Sequence, residues 1–264
     1  MANETRFTGK AEIYATYRPS YPTPLLDLIM KQATERQLSI DECVVADIGA
    51  GTGKFTALLL EKGFNVIAVE PNQDMLTQLN KLKLQYPDKL SIQSASAEQT
   101  GLAKSSVDII VCAQAFHWFD AKKAKVEWKS ILKEEGQVFL IWNQRHIDGS
   151  TFMKQYEQLF LDLDGAKHVE QYNLYRNVGH QYMSVEQLSS FFGQRPELFQ
   201  MEYEQKLDEK GLIGRIVSSS YALNEGDEGY DIFLEQIKQL FSRNEQDGYV
   251  SMLYETDCYF GMII

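Results

Sequence analysis

The sequence predicts an α/β fold: one domain built on a mostly parallel sheet of seven strands with helices on both faces. Three observations carry that expectation. Between residues 38 and 145, short apolar runs of strand length alternate with helical patterns. A glycine-rich turn, Gly49-Ala50-Gly51-Thr52-Gly53, joins the first run to the helix after it. Two more strand-like runs follow, separated by longer and less regular segments. Strands alternating with helices of this length imply βαβ crossovers, and so parallel strands buried on both faces.

In chain order, residues 1–24 are aromatic and polar and carry Pro19, Pro22 and Pro24. They read as an ordered arm ahead of a helix. Leu25–Gln37 places Leu25, Leu28, Ile29 and Met30 on one helical face. Val44–Ile48 is a short buried strand, and a helix follows over Lys54–Glu61 until Gly63 ends it. Asn65–Val69 is the second strand and Gln73–Leu84 the next helix. Leu90–Ser94 and Val107–Ala113 are strands three and four. Ala121–Leu132 is helical, Gly136 interrupts, and Val138–Trp142 is the fifth strand. Beyond Asn143, helical patterns near Phe152–Leu163 and Val185–Phe192 precede a strand at Leu198–Lys206. Helices over Gly211–Leu223 and Tyr230–Phe241 lead to a last long strand, Val250–Met262. Residues 144–197 and 207–248 read as insertions that cap the sheet's carboxyl edge, or alternatively as a separate carboxyl-terminal helical domain, with residues 38–145 as the cofactor-binding core.

The 264 residues are 44% hydrophobic, enough for a large core. A net charge of -11 runs against the clustered Lys and Arg that nucleic-acid binding requires, so no nucleic-acid partner is expected. Cys43, Cys112 and Cys258 are widely spaced and form no CxxC pair, which argues against a zinc site or a disulfide framework. Cys43 and Cys112 lie in apolar runs and read as buried thiols. His146, His168 and His180 have no metal-ligand spacing. The first twenty residues hold no continuous apolar segment, and no run of about 18 apolar residues occurs. The expectation is a cytoplasmic protein without a membrane partner. Nothing in the sequence specifies an oligomeric state.

The glycine turn carries the chemistry. Glycine lets the backbone bend sharply and approach a ligand closely, and here the turn follows a buried strand and opens a helix. Dinucleotide folds use GxGxxG to seat a pyrophosphate. This sequence has GxGxG with Asp47 two residues ahead of the first Gly, as expected for a ligand with no phosphate and a charged aminoacyl group. Glu70 ends the second strand, where an acidic side chain can accept both ribose hydroxyls of an adenosine ligand.

DIGAGTG, the VEPN turn, the SAE triplet and AQAFHWFD together resemble the class I S-adenosylmethionine-dependent methyltransferases. Within them the chain most resembles the type 11 branch related to trans-aconitate methyltransferases, whose pattern also includes the stretch from Tyr14 to Pro22. The likeness spans roughly residues 10–145, with a weaker echo at 218–223. It implies a Rossmann-like fold, S-adenosyl-L-methionine as cofactor and a small-molecule methyl acceptor, with a carboxylate suggested. It also implies that Gly49, Ala50 and Gly51 border the methionine part, that Glu70 holds the ribose and that Met75 covers the adenine. Ser96 stands where the family often has an acidic residue, which shifts the adenine amine contact toward the backbone near Ala97. Ala113 and Gln114 would line the sulfonium region. Tyr14, Tyr17 and Arg18 would close the site, with Arg18 facing the methionine carboxylate. Met75, Tyr14 and Tyr17 also read as plain packing residues, Arg18 as a surface charge and Glu70 as a solvated strand-end charge.

His117 follows strand four, at the crevice outside the strand ends. It reads as the catalytic candidate, either a general base or a donor to a substrate oxygen, or else as a loop anchor. Phe116, Trp118 and Trp142 are candidate walls. Arg145, Arg176 and Arg215 could meet an anionic acceptor, though solvated faces are the plainer expectation for all three. Two other readings remain: an NAD-dependent oxidoreductase, which the glycine spacing disfavours, and a non-catalytic S-adenosylmethionine sensor.

Overall fold

The computed structural model describes residues 11–161, 183–219, 222–223 and 225–264. Seven strands form one sheet in the order β3-β2-β1-β4-β5-β7-β6. These are β1 (Val44–Ile48), β2 (Asn65–Val69), β3 (Leu90–Gln93), β4 (Val107–Ala113), β5 (Leu132–Arg145), β6 (Glu197–Leu207) and β7 (Val250–Gly261). The first five pair in parallel, while β7 runs antiparallel to both β5 and β6.

The helices are α1 (Ala11–Tyr17), α2 (Thr23–Glu35), α3 (Lys54–Glu61), α4 (Gln73–Gln85), α5 (Ala121–Ile131), α6 (Thr151–Leu161), α7 (Val185–Phe192), α8 (Glu209–Val217) and α9 (Tyr230–Asn244). Local chemistry sets their starts. Asn72 accepts the Asp74 and Met75 N–H groups at the head of α4, and Asp120 does the same for Lys122 and Lys123 in α5. Ser184 and Gln187 form a reciprocal capping box on α7, which Gly193 closes in the left-handed conformation.

Alternate residues of the central strands feed two apolar layers. On one face Val45, Ile109, Val111, Phe139 and Ile141 pack with Leu25, Ile29, Phe55, Leu59 and Leu79 of α2, α3 and α4. On the other, Ala46, Ile110, Cys112, Val138 and Leu140 meet Trp128 and Ile131 of α5 and Leu188 and Phe191 of α7. Fully burying side chains of this size contributes about 1.5–3 kcal/mol each, so this double layer fixes the sheet. All three cysteines are buried and free.

A third cluster unites α6, α8 and α9 through Phe152, Tyr156, Phe160, Leu212, Ile216, Phe233 and Ile237, seated on Leu207, Met252 and Tyr254. The helical segments after β5 therefore divide: α6, α8 and α9 share one core, whereas α7 joins the main layer beside α5.

Several boundaries depart from expectation. The amino-terminal arm contains α1. β5 begins at Leu132 rather than Val138, because Val107 pairs with Leu132 before a register shift, and pairing resumes at Ile109 with Gln137. Glu135 adopts φ 64° within that irregularity, which Gly136 follows. α8 stops at Val217, where the Ser218 hydroxyl donates to the Arg215 carbonyl. Arg145 and Arg215 are buried rather than solvated. Arg176, His168 and His180 lie outside the described residues. No described helix is long and apolar enough to cross a membrane.

Candidate functional site

The carboxyl ends of β1, β2 and β4 lie side by side, and the bend after β1 crosses them. Gly49, Gly51 and Gly53 take φ values of 74°, 57° and 83°, which side chains rarely adopt. Gly49 and Ala50 donate their N–H groups to the Val69 carbonyl at 2.9 and 3.1 Å, tying the bend to the tip of β2. A Cβ on Gly49 would stand 2.6 Å from Ala115 Cβ and 3.0 Å from Phe119 Cζ, so the turn after β4 rests directly on the bend. A Cβ on Gly51 would meet nothing within 4 Å. One side of the bend is therefore built against protein and the other opens outward.

Two carboxylates flank it. Glu70 is 8% exposed. Its Oε2 accepts the Gly51 N–H and its Oε1 the Asn72 N–H, both at 2.9 Å. Asp47 is 1% exposed. Its Oδ2 accepts the Thr56 hydroxyl at 2.6 Å, while Oδ1 is buried without a hydrogen-bond partner. Burial pushes the Asp47 carboxyl up to about 7, and the negative charge of Glu70 adds to the shift. A buried carboxylate oxygen without a donor, beside an open glycine, fits a cationic group such as the ammonium of an aminoacyl ligand.

The arm closes over this edge through polar staples. Lys54, the first residue of α3, donates from Nζ to the Arg18 carbonyl at 2.8 Å. Burial and the Arg18 charge both push the Lys54 amine down. Arg18 Nη2 donates to the Ser218 carbonyl at 3.1 Å, beyond the end of α8. Asn143 donates to the Ser20 carbonyl and accepts the Thr256 hydroxyl, and Gln205 donates to the Tyr17 carbonyl. The Tyr17 ring packs against Gly214, where a Cβ would stand 2.3 Å from Cδ2.

At the tip of β4, Gln114 has φ 62°, an unusual conformation for a residue with a side chain. Its N–H donates to the Ile141 carbonyl at 2.8 Å. Residues Phe116–Trp118 form one turn of 3-10 helix. Phe116 is buried among Trp128, Trp142 and Phe191, and the His117 Nδ1 accepts the Trp142 indole N–H at 3.3 Å.

Of the residues expected from sequence, Tyr17, Arg18, Gly49, Ala50, Gly51, Glu70, Ala113, Gln114 and His117 fall on this edge or on the segments that cover it. Met75 stands at the start of α4, its side chain buried. Ser96 forms an isolated bridge with Gln99 and lines a shallow cavity of about 650 Å³ with Glu98 and Asp120. Ala97 is buried and its carbonyl accepts the Trp128 indole N–H at 3.0 Å, so that oxygen is already engaged. The side chain of Tyr14 lies outside the described residues. Lys54, Asn143 and Gly214 were not singled out beforehand. Gly214 had a readable signal, a glycine inside a helical pattern; Lys54 and Asn143 had none.

Residues 46–140 match the family model described as a methyltransferase domain. An uncharacterized methyltransferase of Mycobacterium tuberculosis is 36% identical over 139 residues, which cover 53% of this chain and 52% of that protein. A Saccharomyces cerevisiae protein named for S-adenosylmethionine-dependent methyltransferase activity is 30% identical over 135 residues, covering 49% of this chain and 43% of that one. The chain thus aligns with about half the length of the curated relatives it matches. Among solved structures, a protein from Anaeromyxobacter dehalogenans described as a type II methyltransferase superposes with a TM-score of 0.65 at 18% identity, covering 94% of this chain and 99% of that one. Residues 46–140 thus match a methyltransferase domain, and the chain shares its fold with that solved structure.

Proposed function

We propose that this protein transfers a methyl group from S-adenosylmethionine to a small-molecule carboxylate. The observation that carries the reading is the pair of carboxylates on the glycine bend: Glu70 fixed by the Gly51 and Asn72 N–H groups, and Asp47 buried with one oxygen lacking a donor. When bound, S-adenosylmethionine supplies an electrophilic methyl on a sulfonium.

The chain's own residues do the rest. Asp47 receives the ammonium group, and Arg18 and Lys54 supply positive charge for the aminoacyl carboxylate. Glu70, at the tip of β2, accepts the ribose hydroxyls. The tip of β4 and the aromatic side chains of its turn, with Phe116 buried behind them, form one wall of the site. Holding two reactants in line contributes about 7–11 kcal/mol in favourable cases, so alignment alone accounts for much of the rate.

A carboxylate acceptor arrives ionised at neutral pH and needs no base. The buried guanidinium of Arg215 supports that class. It accepts company from the Tyr254 and Ser219 hydroxyls, donating to them at 3.2 and 3.3 Å, and it lies one turn before Ser218, the residue that receives Arg18. The resemblance to the trans-aconitate branch points the same way.

The test has two stages. Isothermal titration compares S-adenosylhomocysteine with NAD; binding of NAD in preference would sink the reading in favour of an oxidoreductase. A panel of di- and tricarboxylic acids is then incubated with methyl-labelled donor. Label released as methanol by alkali identifies a methyl ester. Label in an alkali-stable product excludes the carboxylate, and cofactor binding without transfer to any acceptor favours a sensor.

A further inference from the structure

The geometry points to Trp142 as a positioning residue that holds His117 as its Nε2–H tautomer, so that His117 meets the methyl acceptor as a hydrogen-bond donor and not as a base. This inference rests on the methyltransferase reading above for the identity of the partner, but not for the state of the ring.

The backbone around His117 is held on three sides. Phe119 and Ala115 press on Gly49, so the turn cannot lift without opening the glycine bend. Phe116, one residue before, sits 4.6 Å from Phe191 and 5.6 Å from Trp128 between ring centroids. Trp118, one residue after, lies 4.5 Å from the His117 ring. Trp142 is itself fixed near the end of β5, where it pairs in register with Asp257 and packs 6.1 Å from the Tyr259 ring. Neither partner of the His117–Trp142 bond is on a loose segment.

An indole nitrogen carries a hydrogen and no available lone pair, so it only donates. The atom that faces it must accept, and that atom is His117 Nδ1 at 3.3 Å. Neither the Nδ1–H tautomer nor the imidazolium can accept this bond. The remaining ring hydrogen therefore stands on Nε2. The hydrogen bond at one nitrogen decides what the other nitrogen does, and here it leaves Nε2 as a donor with no lone pair to take a proton. A nucleophile beside it must arrive already unprotonated, as a carboxylate oxygen does. The donor then orients that group and selects for oxygen acceptors over apolar ones.

The test reads the ring directly. In full-length protein with nitrogen-15-labelled histidine, long-range proton–nitrogen spectra assign the His117 ring by its loss in His117→Gln. The expected spectrum is that of an Nε2–H ring in the wild type, and Trp142→Phe should move it toward a mixture of tautomers. An Nδ1–H ring or an imidazolium at neutral pH in the wild type overturns the proposal, as does a His117 signal indifferent to Trp142→Phe. The second arm uses the carboxylic acid panel with labelled donor. His117→Gln keeps an amide donor near the Nε2 position and should hold most of the rate. His117→Leu should lose about 10²-fold, the size seen when one oxyanion donor is removed. Equal loss in both variants marks a base and overturns the donor role. Titration with S-adenosylhomocysteine in the same variants separates the two readings. Failure of the wild type to bind it sinks the methyltransferase assignment, while the ring spectrum answers for Trp142 on its own.

Discussion

The Glu70 carboxylate accepts the Gly51 N–H at 2.9 Å. The tip of one strand thus holds the bend that follows its neighbour, and the same side chain is the one proposed to meet the ribose. Glu70→Ala should therefore abolish measurable S-adenosylhomocysteine binding and also destabilise the fold by about 1–3 kcal/mol, because the Gly51 and Asn72 N–H groups lose their acceptor. Glu70→Gln keeps one acceptor oxygen and should recover part of the stability without the affinity. Titration calorimetry and urea unfolding on the three proteins check this, and unchanged affinity in Glu70→Ala would remove Glu70 from the site.

Asp47 makes the ligand-free protein pH-sensitive. Its carboxyl is pushed up to about 7 by burial, so the folded state holds its proton more tightly than the unfolded chain does. That contribution to stability is complete below about pH 4, the ordinary aspartate range, and is lost as pH rises through about 7. Asp47→Asn should gain on the wild type between pH 5 and pH 8, by a difference on the order of a few kcal/mol. The same variant should bind S-adenosylhomocysteine more weakly, since it offers the ammonium group no charge. Urea unfolding at the two pH values measures the first effect. A stability difference between wild type and variant that stays flat with pH would show that Asp47 ionises normally.

The parallel core was legible because its signals are local. Ile109–Ala113 is a continuous apolar run, as a strand buried on both faces must be, and the glycine bend announces itself by spacing. Glu70 could be placed at a strand tip for the same reason. The staples of the arm could not be read. Lys54 bonds to Arg18 across 36 residues and Asn143 to Ser20 across 123, and no periodicity encodes such pairings. The start of β5 is hidden because Lys133–Gly136 has the composition of a turn; the structure makes it an irregularity within the strand, with Glu135 at φ 64° and Leu132 paired to Val107 ahead of it. Arg145 and Arg215 looked solvated because charged residues are seldom buried unless partnered, and their partners, Glu157 and Tyr254, lie on other elements.

Tyr17 and Gly214 make the contact between the arm and α8. A methyl at Gly214 would stand 2.3 to 2.5 Å from three atoms of the Tyr17 ring, so Gly214→Ala must displace the ring or the helix. Overpacking of this kind costs about 1–3 kcal/mol. The arm should loosen, and proteolysis near Tyr17 should become faster. Tyr17→Ala in the Gly214→Ala background removes the clash, and the double variant should be more stable than Gly214→Ala alone. A double variant whose losses simply add would show that the two residues do not meet.

Arg145 and Glu157 form an ion pair at 2.9 Å with side chains only 6% and 8% exposed, and the guanidinium also lies 5.3 Å from the centre of the Tyr156 ring. The pair joins the extended end of β5 to α6 and so anchors the third apolar cluster to the sheet. Removing one partner leaves a buried charge uncompensated, whereas removing both does not. Glu157→Gln should therefore destabilise the protein by about 3–5 kcal/mol. Arg145→Met combined with Glu157→Leu should be much closer to the wild type, because the two apolar side chains suit the neighbours Phe152, Tyr156 and Met153. Urea unfolding of both variants decides the matter. If the double replacement is as damaging as the single one, the pair does more than anchor α6, and its charge is needed for the cap to close.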